Sequence, residues 1–147
     1  MLPKDIYDLF ESLKACLIKT YPGVKENAEC LIDIGFKRCR IADRDHYKEY
    51  RVFMHTGCEP NTICVTSSID MLDTDCLVGL FCHEIGHVIC FQFPEMISEC
   101  LSEKEQDLLE ELDDDELRAD HVMLLIFEIR IFYNARKIQW AKLPIGD

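Results

Sequence analysis

The sequence predicts a single α+β domain spanning residues 1–147, with an N-terminal helix, a small three-stranded sheet and two later helices that carry the polar motifs. Three observations predict it. Apolar residues recur at helical spacing near the start, segments rich in β-branched and aromatic residues fill the middle, and helical spacing resumes after Asp73. At 147 residues and 48% hydrophobic content the chain can build one substantial core, and no repeat or low-complexity linker divides it.

Ile6, Leu9, Phe10, Leu13 and Leu17 follow helical spacing, and Pro3 suits a first turn. Tyr21-Pro22-Gly23 stops that helix. A short second helix is expected over 24–34, with Ala28, Leu31 and Ile32 on one side, before Gly35 turns the chain to extended structure. Strands are expected over 36–41, 50–56 and 62–69, the last two separated by the turn-forming run Gly57-Cys58-Glu59-Pro60-Asn61. Asp73 or Thr74 can cap the next helix, which Pro94 ends. On that helix Gly79, His83, Gly86 and Cys90 occupy neighbouring positions, so the glycines would admit a second backbone close to this face. Residues 102–112 read as a helix opened by a Ser102/Glu105 capping box. Residues 117–140 form an apolar final helix, with Lys137 and Lys142 suited to its C-terminal end.

His83-Glu84-Ile85-Gly86-His87 is the most informative segment of the chain. Residues i and i+4 share a helix face about 6 Å apart at Cβ, so His83 and His87 can direct ring nitrogens at one metal ion. Glu84 lies about 100° round the helix from His83, placed to reach a water held by the metal without being a ligand itself. Zinc brings the pKa of such a water towards ~7, so a carboxylate can accept its proton. A catalytic zinc takes three protein ligands and leaves one position open. Glu116, 29 residues after His87, would complete a His83/His87/Glu116 set. One turn further on, Asp120 can accept a hydrogen bond from the remaining ring N–H of a ligand histidine, with His83 the expected donor. Asp113, Asp114, Asp115 and Glu116 also read as an acidic first helical turn, and the two readings are compatible.

With His-Glu-x-x-His followed by Glu116-Leu117-Arg118-Ala119-Asp120, the chain resembles the gluzincin metallopeptidases. The likeness is to the soluble minigluzincins and to the catalytic core of the membrane CAAX-prenyl and HtpX-type heat-shock proteases. It implies a zincin-like domain in which His83, His87 and Glu116 bind Zn2+, Glu84 is the general base and Asp120 supports a ligand from behind. It implies hydrolysis of a peptide or protein substrate: zinc polarises the scissile carbonyl while Glu84 takes a proton from water and passes it to the leaving amine. It further implies that the strand before the zinc helix, residues 62–68, forms the cleft rim and pairs with extended peptide. An oxyanion donor is not assigned by spacing; His55, His121 and Tyr133 are candidates.

The formal charge of −12 argues against nucleic-acid binding and mildly favours basic partners. Much of the acid falls in 99–116, which reads as a solvated connection. The opening residues lack a secretory signature, and the apolar runs at 76–93 and after Leu117 are broken by the zinc motif and by Glu128 and Arg130, so no membrane span is expected. Nine cysteines without a Cys-x-x-Cys pair argue for buried thiols in a reducing cytoplasm, and Cys90 is not expected as a ligand. A different class of function shares the same site: a non-catalytic or latent zinc-stabilised peptide-binding module, in which the tail 141–147 lies across its own groove. Cleavage of a single repressor-like partner, as in the ImmA-like gluzincins, is a third form of the resemblance.

Overall fold

The computed structural model describes residues 3–38, 54–56, 60–65, 69 and 72–127. Helix α1, Pro3–Thr20, buries the stripe Ile6, Phe10, Leu13 and Leu17, the spacing that a 3.6-residue period places on one face. Helix α2, Lys25–Ala28, runs into a 3-10 turn at Glu29–Asp33. The expected α-helical face through Ile32 is therefore corrected. Three residues per turn bring Ala28, Leu31 and Ile34 into line and rotate Ile32 outward, and Ile32 is 57% exposed while the other three are buried.

Strands β1 (Gly35–Arg38), β2 (Met54–Thr56) and β3 (Thr62–Val65) make a mixed sheet in the order β1-β3-β2. β3 runs parallel to β1, pairing Phe36 with Ile63, and antiparallel to β2, pairing Met54 with Val65. The segment expected to be the cleft rim is thus the central strand, with both edges already paired. Among the described residues the edge strands are β1 and β2. β3 also ends earlier than expected: Ile69 lies in a 3-10 turn, its carbonyl accepting from the Leu72 N–H at 3.0 Å. The inner face of the sheet meets α1 through aromatic packing, with Phe36 edge-on to Phe10 at 5.2 Å between centroids.

Helix α3, Thr74–Gln92, is capped by Asp73, whose carboxylate accepts from the Cys76 N–H at 2.9 Å. Nearly every residue from Cys76 to Ile89 is buried, as expected of a helix enclosed on all sides. By length and hydropathy it could cross a membrane, but 72% of its apolar window is buried inside the protein, which is how a core helix meets the same test. Pro94, which lacks an N–H to continue α3, opens helix α4, Pro94–Cys100. Helix α5, Glu103–Glu110, begins with the full Ser102/Glu105 capping box. The acidic stretch is therefore mostly helical rather than a plain connection. Helix α6, Asp115–Phe127, starts two residues before the expected position, with Asp114 accepting from the Glu116 N–H at 2.8 Å. The expected continuation of that helix to 140, the tail 141–147, Tyr133 and the outer parts of the expected strands lie outside the described residues.

Two contacts set the positions of these elements. Glu99 of α4 accepts from the Tyr21 hydroxyl at 2.6 Å and from the Val24 N–H at 3.1 Å, tying α4 to the turn after α1. These bonds hold the Glu99 carboxyl below the usual carboxylate range. Gly86 lets α6 approach α3, since a Cβ at that position would stand 2.4 Å from the Ala119 carbonyl oxygen. This is the close backbone approach that the glycine spacing anticipated.

Candidate metal centre

The α3–α6 contact at Gly86 and Ala119 brings the two polar motifs together. Residues Glu116 and Asp120 share a face of α6, as His83 and His87 share a face of α3. His83 Nε2 lies 3.1 Å from His87 Nε2 and 2.5 Å from Glu116 Oε2, and His87 Nε2 lies 3.4 Å from Glu116 Oε1. The two imidazoles are edge-to-face, with ring centroids 4.6 Å apart. Behind them Asp120 Oδ1 stands 2.7 Å from His83 Nδ1. His83, Glu84, His87 and Asp120 are all buried, whereas the Glu116 side chain is 57% exposed and closes the site from the solvent side.

Proton accounting tests whether this set suits a metal. A carboxylate accepts, so His83 donates through Nδ1–H to Asp120. Its Nε2 faces a carboxylate oxygen and a second imidazole nitrogen. These atoms converge on one point, where a proton on a ring nitrogen or a metal ion can lie between them. Histidine contacts, first from His83 and then from His87, hold the Glu116 carboxyl far below the usual carboxylate range despite partial burial. Two of the separations, 3.1 and 3.4 Å, are near the ~3.3 Å between ligand atoms that ~2.0–2.1 Å bonds in a tetrahedron require, while the 2.5 Å between His83 Nε2 and Glu116 Oε2 is a hydrogen-bond distance that ion binding would open. His83, His87 and Glu116 form a group that could hold a metal ion, and the residues fit one.

The sequence-derived site residues fall into three groups. His83, His87, Glu116 and Asp120 meet as described. Glu84 lines a cavity of about 250 Å³ with His87, Phe91, Asp115, Glu116 and the β2 residues Met54, His55 and Thr56. Of the oxyanion candidates, His55 lies on the strand beside this cavity. Strand alternation, however, puts its side chain on the opposite sheet face from Met54 and Thr56. His121 is occupied with its own helix, Nδ1 lying 2.8 Å from the Leu117 carbonyl oxygen. Cys90 stays apart from the converging atoms, and burial pushes its thiol up to about 11. Cys82, just before His83, is likewise held neutral by burial.

Arg118 is a residue whose part sequence reasoning missed. Its Nε donates to the Leu109 carbonyl at 3.2 Å, its Nη2 to the Leu112 carbonyl, and its Nη1 to Asp115 at 2.7 Å. It thereby fixes the end of α5 against the first turn of α6, the turn that presents Glu116. The available signal was its place between Glu116 and Asp120, where helical geometry turns it away from the ligand face. No family model, curated protein or solved structure matches the chain.

Proposed function

We propose that the chain is a zinc-dependent peptidase of gluzincin type, in which His83, His87 and Glu116 hold the ion and Glu84 moves the proton. The observation that carries this reading is the cavity in which the buried Glu84 carboxylate shares a wall with His87 and Glu116. Two imidazoles and one carboxylate suit zinc among the common divalent ions, and three protein ligands correspond to a catalytic rather than a closed structural site. When bound, zinc supplies Lewis acidity, which polarises a carbonyl and lets water lose a proton near neutral pH. Asp120 keeps the hydrogen on His83 Nδ1 and so keeps Nε2 aimed into the site. Glu84 accepts the proton of the attacking water on a carboxylate oxygen and delivers it to the leaving amine nitrogen. A peptide is the substrate class that the surroundings favour. Among the described residues β2 pairs only with β3, and an extended chain added to its outer edge would pass the same cavity through backbone hydrogen bonds.

Glu84→Gln tests the assignment. It preserves shape and the ligand set, so the variant should take up zinc as wild type does. Its turnover of an unfolded protein or a fluorogenic peptide should fall by at least the ~100-fold that general-base loss commonly costs. Wild-type rates in that variant would rule out the mechanism. Zinc uptake without turnover in either protein would instead favour the peptide-binding module that shares this site.

A further inference from the structure

A second cavity, about 210 Å³, adjoins the first and shares His87, Phe91 and Asp115 with it. Cys90, Phe91, Ile97 and Leu109 form the apolar part of its wall, beside the polar Gln106. The Cys90 thiol, with a pKa of about 11, is uncharged near neutral pH. Phe91 is 69% exposed, the most exposed large hydrophobic side chain among the described residues, and its ring is stacked nearly parallel to His87 at 6.3 Å. An aromatic ring held beside a ligand histidine and turned to solvent offers contact area that the fold itself does not use.

The mouth of this cavity has a different chemistry. Arg118 and Asp115 line it, but they neutralise each other at 2.7 Å. Glu110 also lines it, is exposed, and has no cationic partner among the described residues. Exposed Glu111, Asp113 and Asp114 follow in the segment that joins α5 to α6, outside the cavity lining, in a chain of formal charge −12. The mouth is therefore net negative over an apolar wall. A purely apolar side chain would use only the wall, and an acidic one would be repelled. A long stem with a positive tip satisfies both, because the methylenes pack on the ring and the aliphatic side chains while the charge stays at the wet end.

Resting on the peptide reading of the adjoining site, we propose that this cavity receives a lysine or arginine side chain of the bound peptide, so that the chain selects basic peptides. Apolar burial at Phe91, Ile97 and Leu109 provides the grip, and Glu110 provides the discrimination. An exposed charge pair contributes at most about fivefold in affinity, so the preference is graded rather than absolute.

The test is peptide binding by the Glu84→Gln protein, read by fluorescence anisotropy. The labelled peptides are identical except for one central residue: lysine, arginine, norleucine or glutamate. Norleucine keeps the stem and removes the charge. Lysine and arginine peptides should bind tighter than the norleucine peptide by up to about fivefold, with glutamate weakest and the margin shrinking as salt rises. Glu110→Gln should bring lysine and norleucine together, whereas Phe91→Ala should weaken both alike. Equal affinities for lysine and norleucine, a lysine preference untouched by Glu110→Gln, or no saturable binding of any peptide would overturn the proposal. Incubating the same peptides with the wild-type protein separates it from the reading on which it rests. Cleavage without a basic preference removes the pocket assignment alone, while selective binding without cleavage removes only the hydrolysis.

Discussion

Lys14 and His83 are both buried, at 6% and 3% exposure, yet their surroundings treat them in opposite ways. The Lys14 ammonium donates to the carbonyls of Ile34 at 2.7 Å and Ile32 at 3.1 Å, pairs with Glu11 at 3.2 Å, and lies over the Phe10 ring at 5.2 Å. Every neighbour is an acceptor or a π face, so the group is satisfied by the protein alone, and its work is to fasten the 3-10 turn to α1. His83 instead stands among groups that can also bind a metal. Asp120 takes the Nδ1 hydrogen, and Nε2 meets a second imidazole nitrogen and the Glu116 carboxylate. A buried polar group placed for stability is given complementary partners. Two imidazoles and a carboxylate that converge on one point can in addition hold a metal ion.

This contrast can be pressed at several points, compared by their effect on metal affinity. Asp120→Asn should weaken binding by roughly 10–100-fold, the usual cost of losing the partner that orients a ligand histidine, and competition against a chelating dye would read it. If affinity is unchanged, the hydrogen bond to His83 has no part in the site. Gly86→Ala should have a smaller effect on metal, acting through position. Its methyl group would meet the Ala119 carbonyl and push α6 outward. Such overpacking costs ~1–3 kcal/mol, more than the ~0.5–1 kcal/mol that alanine gains in a helix, so chemical denaturation and metal titration should weaken together. A stabilised variant with full affinity would mean that the close approach does not place Glu116. Lys14→Met should leave metal affinity untouched. It strands the buried Ile34 carbonyl and frees the partly buried Ile32 carbonyl, and the ~1–3 kcal/mol that an unpaired buried group costs should appear in denaturation alone. A metal defect in that variant would erase the distinction between the two regions.

Much of the site was legible because it depends on spacing within helices. His83 with His87, and Glu116 with Asp120, need only the helical period to share a face. That the two faces meet depends on α3 packing against α6, for which Gly86 was the readable trace. The sheet was less legible. Strand length and β-branched content do not state which strand is central. Yet Ile63, Cys64 and Val65 are all buried, and an unbroken apolar run of this kind is what a strand covered on both faces carries. That signal pointed to the middle of the sheet, against the rim position taken from resemblance. The misplaced face at Ile32 has a local cause, since the change from 3.6 to three residues per turn leaves no clear mark in Glu29-Cys30-Leu31-Ile32-Asp33. Helix α4 is only seven residues long, too short for periodicity to announce, although Pro94 marks its first turn.

The central claim is that the converging atoms of His83, His87 and Glu116 are arranged for a metal ion, and metal content is its most direct test. Wild type and Glu116→Ala would be purified without chelators, reconstituted with zinc, freed of excess ion and assayed by elemental analysis. The account predicts about one zinc per wild-type chain, with the variant binding more weakly than any loss of Asp120 would cause. A wild-type chain that takes up no metal, or a Glu116→Ala variant that holds it equally well, would contradict the account.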